Sequence, residues 1–228
     1  MSSRKYLINK YLIDKTVPKI DIKAVNRPFF QFTKRLIDVI GSLIALLILS
    51  PVFLFIYILI RCTSGSPVFF LQTRLGLEKK PFNLIKFRTM IVGAEERNGP
   101  QWASKNDDRA TPVGSFLRRT RLDELPQFVN ILKGDMSFVG PRPIRRFFAD
   151  MLLSEIPFYS LRFKVKPGAT GWAQVHYHYG GSVEGHIEKF QYDLYYIQNA
   201  SVVMDIVIML KTVNFFCRKF SAYKKGVS

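Results

Sequence analysis

Residues Val39 to Ile60 run for 22 positions without a charged side chain (VIGSLIALLILSPVFLFIYILI), and no other feature limits the folding of this chain as much. About 20 apolar residues carry a helix through a bilayer, whereas a helix in a water-soluble core is seldom apolar on every side. The run is longer than the apolar core of about 7 to 15 residues in a cleaved signal, and a long basic segment precedes it. It reads as a permanent membrane segment.

Both flanks of the run are basic. Residues 1–35 carry nine Lys/Arg against two acidic residues, and residues 62–228 carry 24 against 14. Positive flanks favour the cytoplasm, so Lys34 and Arg35 on one side and Arg61 on the other give no bias to a straight span. A hairpin that enters and leaves the same face satisfies both ends. Pro51, preceded by Ser50, lies near the middle of the run. A proline there removes one backbone donor and displaces the carbonyl four residues back. The Ser50 hydroxyl can donate to the preceding turn and relieve the carbonyl near Leu47. A kinked through-going helix and a re-entrant hairpin both fit these residues.

Lys and Arg outnumber Asp and Glu by 34 to 17, a net charge of +17. The matching partners are polyanions: phosphates, anionic lipid headgroups or nucleic acid. Cys62 and Cys217 stand alone, which fits a reducing compartment and no disulfide framework. His176, His178 and His186 lack the cysteines or helix-spaced His-Glu pair of a zinc site, and none is assigned.

Along the chain, residues 1–33 form a basic extension broken by Pro18 and Pro28. Residues 34–61 form the membrane segment. Residues 62–228 form a catalytic domain, mainly helical with a little β-structure, an α+β fold. Pro67–Leu75 and Phe82–Phe87 are β-rich runs around a loop with Gly76 and Pro81, the pattern of a hairpin. Gly93–Thr111 is polar and turn-rich, a loop or short helix over the site. DELPQFVNILKG, from Asp123 to Gly134, carries helix start and stop signals, with Pro126 in the first turn. Two helical segments follow between Ile187 and Phe220, and their apolar stripes suit either a core or a lipid interface.

Three stretches carry candidate chemistry. In RRTRLDE, from Arg118 to Glu124, the adjacent carboxylates of Asp123 and Glu124 point about 100° apart on a helix, so they cannot duplicate one another. At a helix N-terminus a carboxylate is stabilised by the same dipole and N–H groups that receive phosphate. An ordinary N-cap would look the same. In GDMSFVGPRP, from Gly134 to Pro143, Gly140 and two prolines stiffen the backbone around Arg142. Its guanidinium fork suits a phosphate, as it would a structural carboxylate. KVKPGATGWAQV, from Lys164 to Val175, has the glycines of a tight turn and close backbone approach, and is neither a dinucleotide-binding nor a Walker loop.

Taken in order, KRLIDVIGSLIALLILSP, KFRTM, RRTRLDELPQ, LKGDMSFVGPRP and KPGATGWAQV closely resemble the monotopic phosphoglycosyl transferases, from about Phe32 to the C-terminus. The resemblance implies a re-entrant helix broken at Ser50-Pro51, amphipathic interfacial helices, and both chain ends at the cytoplasmic face of the bacterial inner membrane. It implies Asp123 and Glu124 as the catalytic pair, with Asp123 attacking the β-phosphate of a UDP-sugar, releasing UMP and passing the phosphosugar to undecaprenyl phosphate. Mg²⁺ held at Asp123 and Glu124, and phosphate contacts from Arg118, Arg142, Lys86 and Arg88, belong to the same implication. Besides donor, acceptor and membrane lipids, a second copy of the chain is a candidate partner. After GWAQV the chain reads HYHYGGSVEGHIEKF and departs from the family, so sugar and uridine contacts do not carry over there.

Two other function classes share parts of this pattern. An inactive scaffold for glycan assembly would keep the fold and tolerate loss of Asp123. A nucleic-acid-binding membrane protein would use the charge, yet the sequence has no helix-turn-helix, no RNP-like stretch and no aromatic array interleaved with its basic clusters. Nucleic acid is therefore not an expected partner.

Overall fold

The proline inside the apolar run does break the helix. In this computed structural model, which describes residues 22–94, 107–156, 158–177 and 183–224, helix α1 (Pro28–Ile48) is followed by α2 (Ser50–Ser64) at an angle of 60°. Leu49 stands between them with ψ at 2°. Pro51 has no N–H to offer, and the Ser50 hydroxyl instead donates to Leu47 O at 2.8 Å, the relief that the sequence suggests. No single described helix is long and apolar enough to cross a membrane; only the bent pair taken together reaches that length and composition. Its outer surface is apolar and exposed, with Leu47, Ile48, Leu54 and Phe55 all open.

One polar stripe of α1 faces the other way. Arg35 donates through Nη1 to Ile131 O and through Nη2 to Leu132 O, both at 2.8 Å, and so covers the last carbonyls of α4 (Gln127–Lys133). That is where a cation satisfies orphan groups and the helix dipole together. One turn on, buried Asp38 accepts from Ser137 Oγ at 3.0 Å and from Phe138 N at 2.9 Å. Lys34 completes the row, donating to Val139 O at 2.8 Å and pairing with Asp205 at 2.6 Å. Ser137–Val139 is the short strand β3, so two side chains of α1, Lys34 and Asp38, hold the segment that leads to Arg142, and Arg35 holds the helix before it.

Strands β1 (Phe69–Leu75) and β2 (Pro81–Phe87) form the expected antiparallel hairpin, with Phe69 opposite Phe87 and Leu75 opposite Pro81. A cluster of Ile56, Ile60, Val68, Phe87 and Leu117 packs it against α2 and α3 (Pro112–Thr120). Each such side chain, once buried, stabilises the fold by about 1.5–3 kcal/mol. Of the polar stretch Gly93–Thr111, residues 95–106 lie outside the described part. Its ends are tied by N–H to carbonyl bonds from Ile91 to Arg109 and from Thr111 to Thr89, each at 3.0 Å. Thr111 caps α3 by accepting from Gly114 N at 2.9 Å, with Pro112 in the first turn where its missing donor is harmless.

The remaining elements are α5 (Arg146–Glu155), β4 (Gly168–Thr170), α6 (Trp172–His176), α7 (Val183–Asn199) and α8 (Val202–Lys224). β3 and β4 pair in parallel, with Ser137 opposite Gly168 and Val139 opposite Thr170. The backbones touch: an added Cβ on Gly168 would lie 2.1 Å from Gly140 N. This is the close approach that the glycines of the third motif announce. α7 and α8 are the two C-terminal segments, and each apolar stripe is partly buried and partly exposed. Tyr196, Ile197 and Ile208 are buried with Phe30 and Val139, while Val203, Leu210 and Val213 stay exposed. Of the basic extension 1–33, residues 1–21 lie outside the described part.

Candidate active site

DELPQFVNILKG does not form one helix from Asp123. Arg121 ends α3 in the left-handed region, φ 62°, and the chain turns at once into a tight 3-10 turn over Leu122–Glu124. Pro126 cannot donate, and α4 begins only at Gln127. The two carboxylates therefore sit on a turn between helices. The 3-10 geometry still sends them to different surroundings.

Glu124 collects cations. Arg142 donates to both of its oxygens, Nη1 to Oε2 at 3.4 Å and Nη2 to Oε1. Lys86, from β2, donates to Oε1 at 2.9 Å, and Arg121 approaches Oε2 at 3.6 Å. Burial alone would raise this carboxyl, but Arg142, Lys86 and Arg121 outweigh it and hold Glu124 well below the usual carboxylate range. Asp123 is the opposite case. It is 6% exposed, its nearest cation is Lys86 at 3.9 Å from Oδ2, and its Oδ1 is buried with no hydrogen-bond partner. Burial pushes its carboxyl up; Lys86 pulls it down in part, and the charge of Glu124 adds to the rise.

A buried carboxylate oxygen without a partner is high in energy. It is a strong lone-pair donor to whatever electrophile or cation enters. Among the described residues, three cations (Lys86, Arg121 and Arg142) stand around two carboxylates. The surplus of positive charge suits an incoming diphosphate.

The structure separates the other candidate residues. Arg118 ion-pairs with Asp107 at 3.5 Å, which also takes Arg109 at 2.7 Å. The hydrogen bond from Arg109 is the main reason the Asp107 carboxyl drops to about 2. Arg88 points away from the pair; its Nη2 donates to Ser64 O and Gly65 O and so covers the end of α2. Arg121 is missing from the sequence-based set although it lies three residues before Glu124, a spacing that brings side chains together on a helical turn. Also missing is Arg162, which donates to Arg142 O at 2.8 Å and pairs with Asp193 at 3.3 Å. Burial pushes Asp193 up to about 6 against the pull of Arg162. No spacing in the sequence links those three positions.

The donor set was tested against a divalent cation. Among the described residues no three His, Cys, Asp or Glu side chains gather at one point, so a closed protein cage is absent there. Mg²⁺ is commonly held by one or two carboxylates plus substrate phosphates and water. The orphaned Oδ1 of Asp123 beside Glu124 fits that arrangement.

Residues 29–219 match the bacterial sugar transferase family, and the chain belongs to it. It is 43% identical over 195 residues to the UDP-N-acetylgalactosamine-undecaprenyl-phosphate N-acetylgalactosaminephosphotransferase of Aeromonas hydrophila, covering 86% of this chain and 46% of that protein. It is also 43% identical over 201 residues to the UDP-glucose:undecaprenyl-phosphate glucose-1-phosphate transferase of Escherichia coli strain K12, covering 86% and 42%. With the exopolysaccharide production protein PSS of Rhizobium leguminosarum bv. phaseoli the identity is 42% over 190 residues, covering 79% and 92%. The chain thus spans under half the length of the first two relatives and nearly all of the third.

Proposed function

We propose that this chain transfers a phosphosugar from a UDP-sugar to a polyprenyl phosphate at the cytoplasmic face of the bacterial inner membrane, opening the assembly of a surface glycan. The observation that carries the reading is the buried, partnerless Oδ1 of Asp123 in a nest of cations. The Aeromonas and Escherichia relatives are named for transfers of this kind, and the Rhizobium relative for exopolysaccharide production.

In this mechanism Asp123 attacks the β-phosphorus of the donor. The bond from that phosphorus to the bridging oxygen breaks, UMP leaves, and the phosphosugar stays on the carboxylate. An oxygen of the polyprenyl phosphate then attacks the same phosphorus and frees Asp123. Lys86 and Arg142 offset the charge that makes two anions repel, and Glu124 holds both cations in place. Mg²⁺ at Asp123 and Glu124 would polarise the phosphoryl oxygens and further shield the approach. Arg162 fixes the backbone from which Arg142 reaches the pair.

The bent pair α1 and α2 is the membrane hairpin of this reading. Its exposed apolar surface, its 60° break and its two basic flanks fit a segment that dips into one leaflet and returns. Residues 1–33, 34–61 and 62–228 then divide into basic extension, membrane segment and catalytic domain. The α8 face with Val203, Leu210 and Val213 rests at the interface.

A panel of UDP-sugars with Mg²⁺ and no acceptor should release one UMP per enzyme with one of the sugars, and mass spectrometry should place a phosphosugar on Asp123. Release without an adduct would discard the covalent step; no release with any sugar would discard the activity. In intact cells, an impermeant maleimide applied from outside should fail to label cysteines placed within residues 22–33. Efficient labelling would replace the hairpin with a span.

Lys86 has a second, measurable effect. It is the largest pull lowering Asp123, so Lys86→Met raises that carboxyl further. The acid limb of kcat/KM should move to higher pH, and Lys86→Arg should restore it. A limb that stays in place would separate Lys86 from the ionisation of Asp123.

A further inference from the structure

Two residues beyond Lys86, the same chain enters a cavity that the reaction described so far does not use. It has a volume of about 450 Å³ and is lined by Thr63, Ser64, Arg88, Met90, Ile91, Val92, Thr111, Pro112 and Val113. That volume is in the range of small-molecule sites, about 300–1,000 Å³. The walls are mostly apolar. Of the polar groups in them, the Thr63 hydroxyl donates to Leu59 O at 2.7 Å and the Thr111 hydroxyl accepts from Gly114 N at 2.9 Å. Arg88 is different. Only 7% exposed, it uses Nη2 on Ser64 O and Gly65 O, while its Nη1 is buried without a hydrogen-bond partner. A guanidinium is a cation with five N–H donors and no acceptor. The cavity is thus lined by a cation with one unpartnered, buried donor, among mostly apolar walls.

Its position matters as much as its chemistry. One wall is the last turn of α2, the end of the bent pair whose apolar face is exposed. Ile91 and Val92, 57% and 70% exposed, line its mouth with apolar surface. On the other side, Arg88 N donates to Val68 O at 2.8 Å and prolongs the hairpin ladder past Phe87. In an extended chain, two residues span roughly 7 Å, which separates Arg88 from the Lys86 that holds Asp123 and Glu124. A ligand that suits this place has one anionic end and a long apolar remainder, arrives from the lipid, and must come near the carboxylates.

We infer that this cavity seats the acceptor, a prenyl phosphate monoester, with its phosphate on Arg88 Nη1 and its first isoprene units against Met90, Ile91, Val92 and Val113. The inference rests on the proposed transfer reaction and adds the place where the acceptor waits. Arg88 then has two jobs, holding the end of α2 and receiving the lipid phosphate. The donor diphosphate is met by Lys86 and Arg142 instead, so the two substrates are bound by different cations of one strand and its neighbours.

The test is photolabelling with a diazirine-bearing C15 prenyl phosphate on the full chain in nanodiscs, followed by peptide mapping. Labels should fall on residues 90–92 and 111–113, and added undecaprenyl phosphate should remove them. Labels elsewhere would overturn the assignment. Equal competition by phosphatidylglycerol would also overturn it, because the cavity would then be a seat for any anionic lipid. Labelling needs no turnover, so it is read even from a chain that releases no UMP, and a failure of the transfer reaction stays distinguishable. For kinetics, Ile91→Trp fills the cavity from an exposed position and avoids the α2 contacts that Arg88→Ala would break. It should raise KM for undecaprenyl phosphate about ten- to hundredfold, the range expected when a charge-assisted hydrogen bond is lost. An unchanged acceptor KM in Ile91→Trp would sink the proposal.

Discussion

Asp123→Asn should release no UMP, a loss of about 10³-fold or more as for other covalent nucleophiles, and should melt at a temperature equal to or above that of the wild type at neutral pH. The second half follows from the direction of the Asp123 shift. Burial raises this carboxyl in the folded chain, so the fold favours its neutral form. The stability it contributes is fully present below the ordinary carboxylate value near 3.8. That stability is lost as pH rises through the raised folded value. At pH 7 the folded protein therefore holds a carboxylate that it would hold more easily uncharged. Asparagine has nearly the same shape and no charge, and Lys86 keeps Glu124 as a partner at 2.9 Å. Activity and stability thus oppose one another at this position, as they often do where a site is built for chemistry. Melting curves at pH 5 and pH 8 check it: the advantage of the variant should be larger at pH 8. A variant that melts several degrees lower at both pH values would make Asp123 a structural residue, and one that still turns over would remove it from the mechanism.

Gly168→Ala should be among the most damaging single methyl additions in the described residues. The new Cβ would lie 2.1 Å from Gly140 N, 2.4 Å from Thr170 O and 2.6 Å from Gly140 O. All three are backbone atoms, so no side chain can swing aside. Relief requires β3 and β4 to part, which removes the bonds from Gly168 N to Pro141 O and from Gly140 N to Thr170 O, both at 2.9 Å. Overpacking with lost hydrogen bonds costs about 3 kcal/mol or more. For a chain of this size that is a fall of roughly 6–12 °C in Tm. The consequence is functional as well as structural, because Pro141 and Arg142 follow Gly140 directly. The surviving folded fraction should show a raised KM for the UDP-sugar. A variant with wild-type Tm and KM would mean that the two motif loops do not need their contact.

Where the sequence was readable, it was readable through local rules. Ser50 sits one residue before Pro51, and the hydroxyl to Leu47 O bond follows from that spacing. The β1–β2 hairpin follows from its β-rich runs and the turn residues between them. Gly140, Gly168 and Gly171 lie in motifs whose glycines announce close backbone contact, and the structure places them against one another. The surroundings of Asp123 and Glu124 diverge as adjacent positions on a turn require.

What was not readable depends on reach and topology. Arg88 and Lys86 share one short motif, yet Lys86 turns to the carboxylates and Arg88 to the end of α2, a choice set by what packs on either side of the hairpin. Arg118 and Arg121 share another. The left-handed residue at 121 ends α3 and leaves Arg118 facing Asp107, while Arg121 stays with Glu124. The helix expected from Asp123 starts only after Pro126, because the tight turn takes the first residues of the pattern. Arg162 and Asp193 are joined only by the packing of Tyr159 and Phe190 into one core. No periodicity carries that information.

The row Lys34, Arg35 and Asp38 ties the bent helix pair into the interior of the fold. These side chains donate to Ile131 O, Leu132 O and Val139 O and accept from the Phe138 amide, so cutting the chain after residue 61 would take a bond from four main-chain groups beneath the candidate site at once. The bent pair is a structural pillar, and no fragment that omits it would keep the same floor.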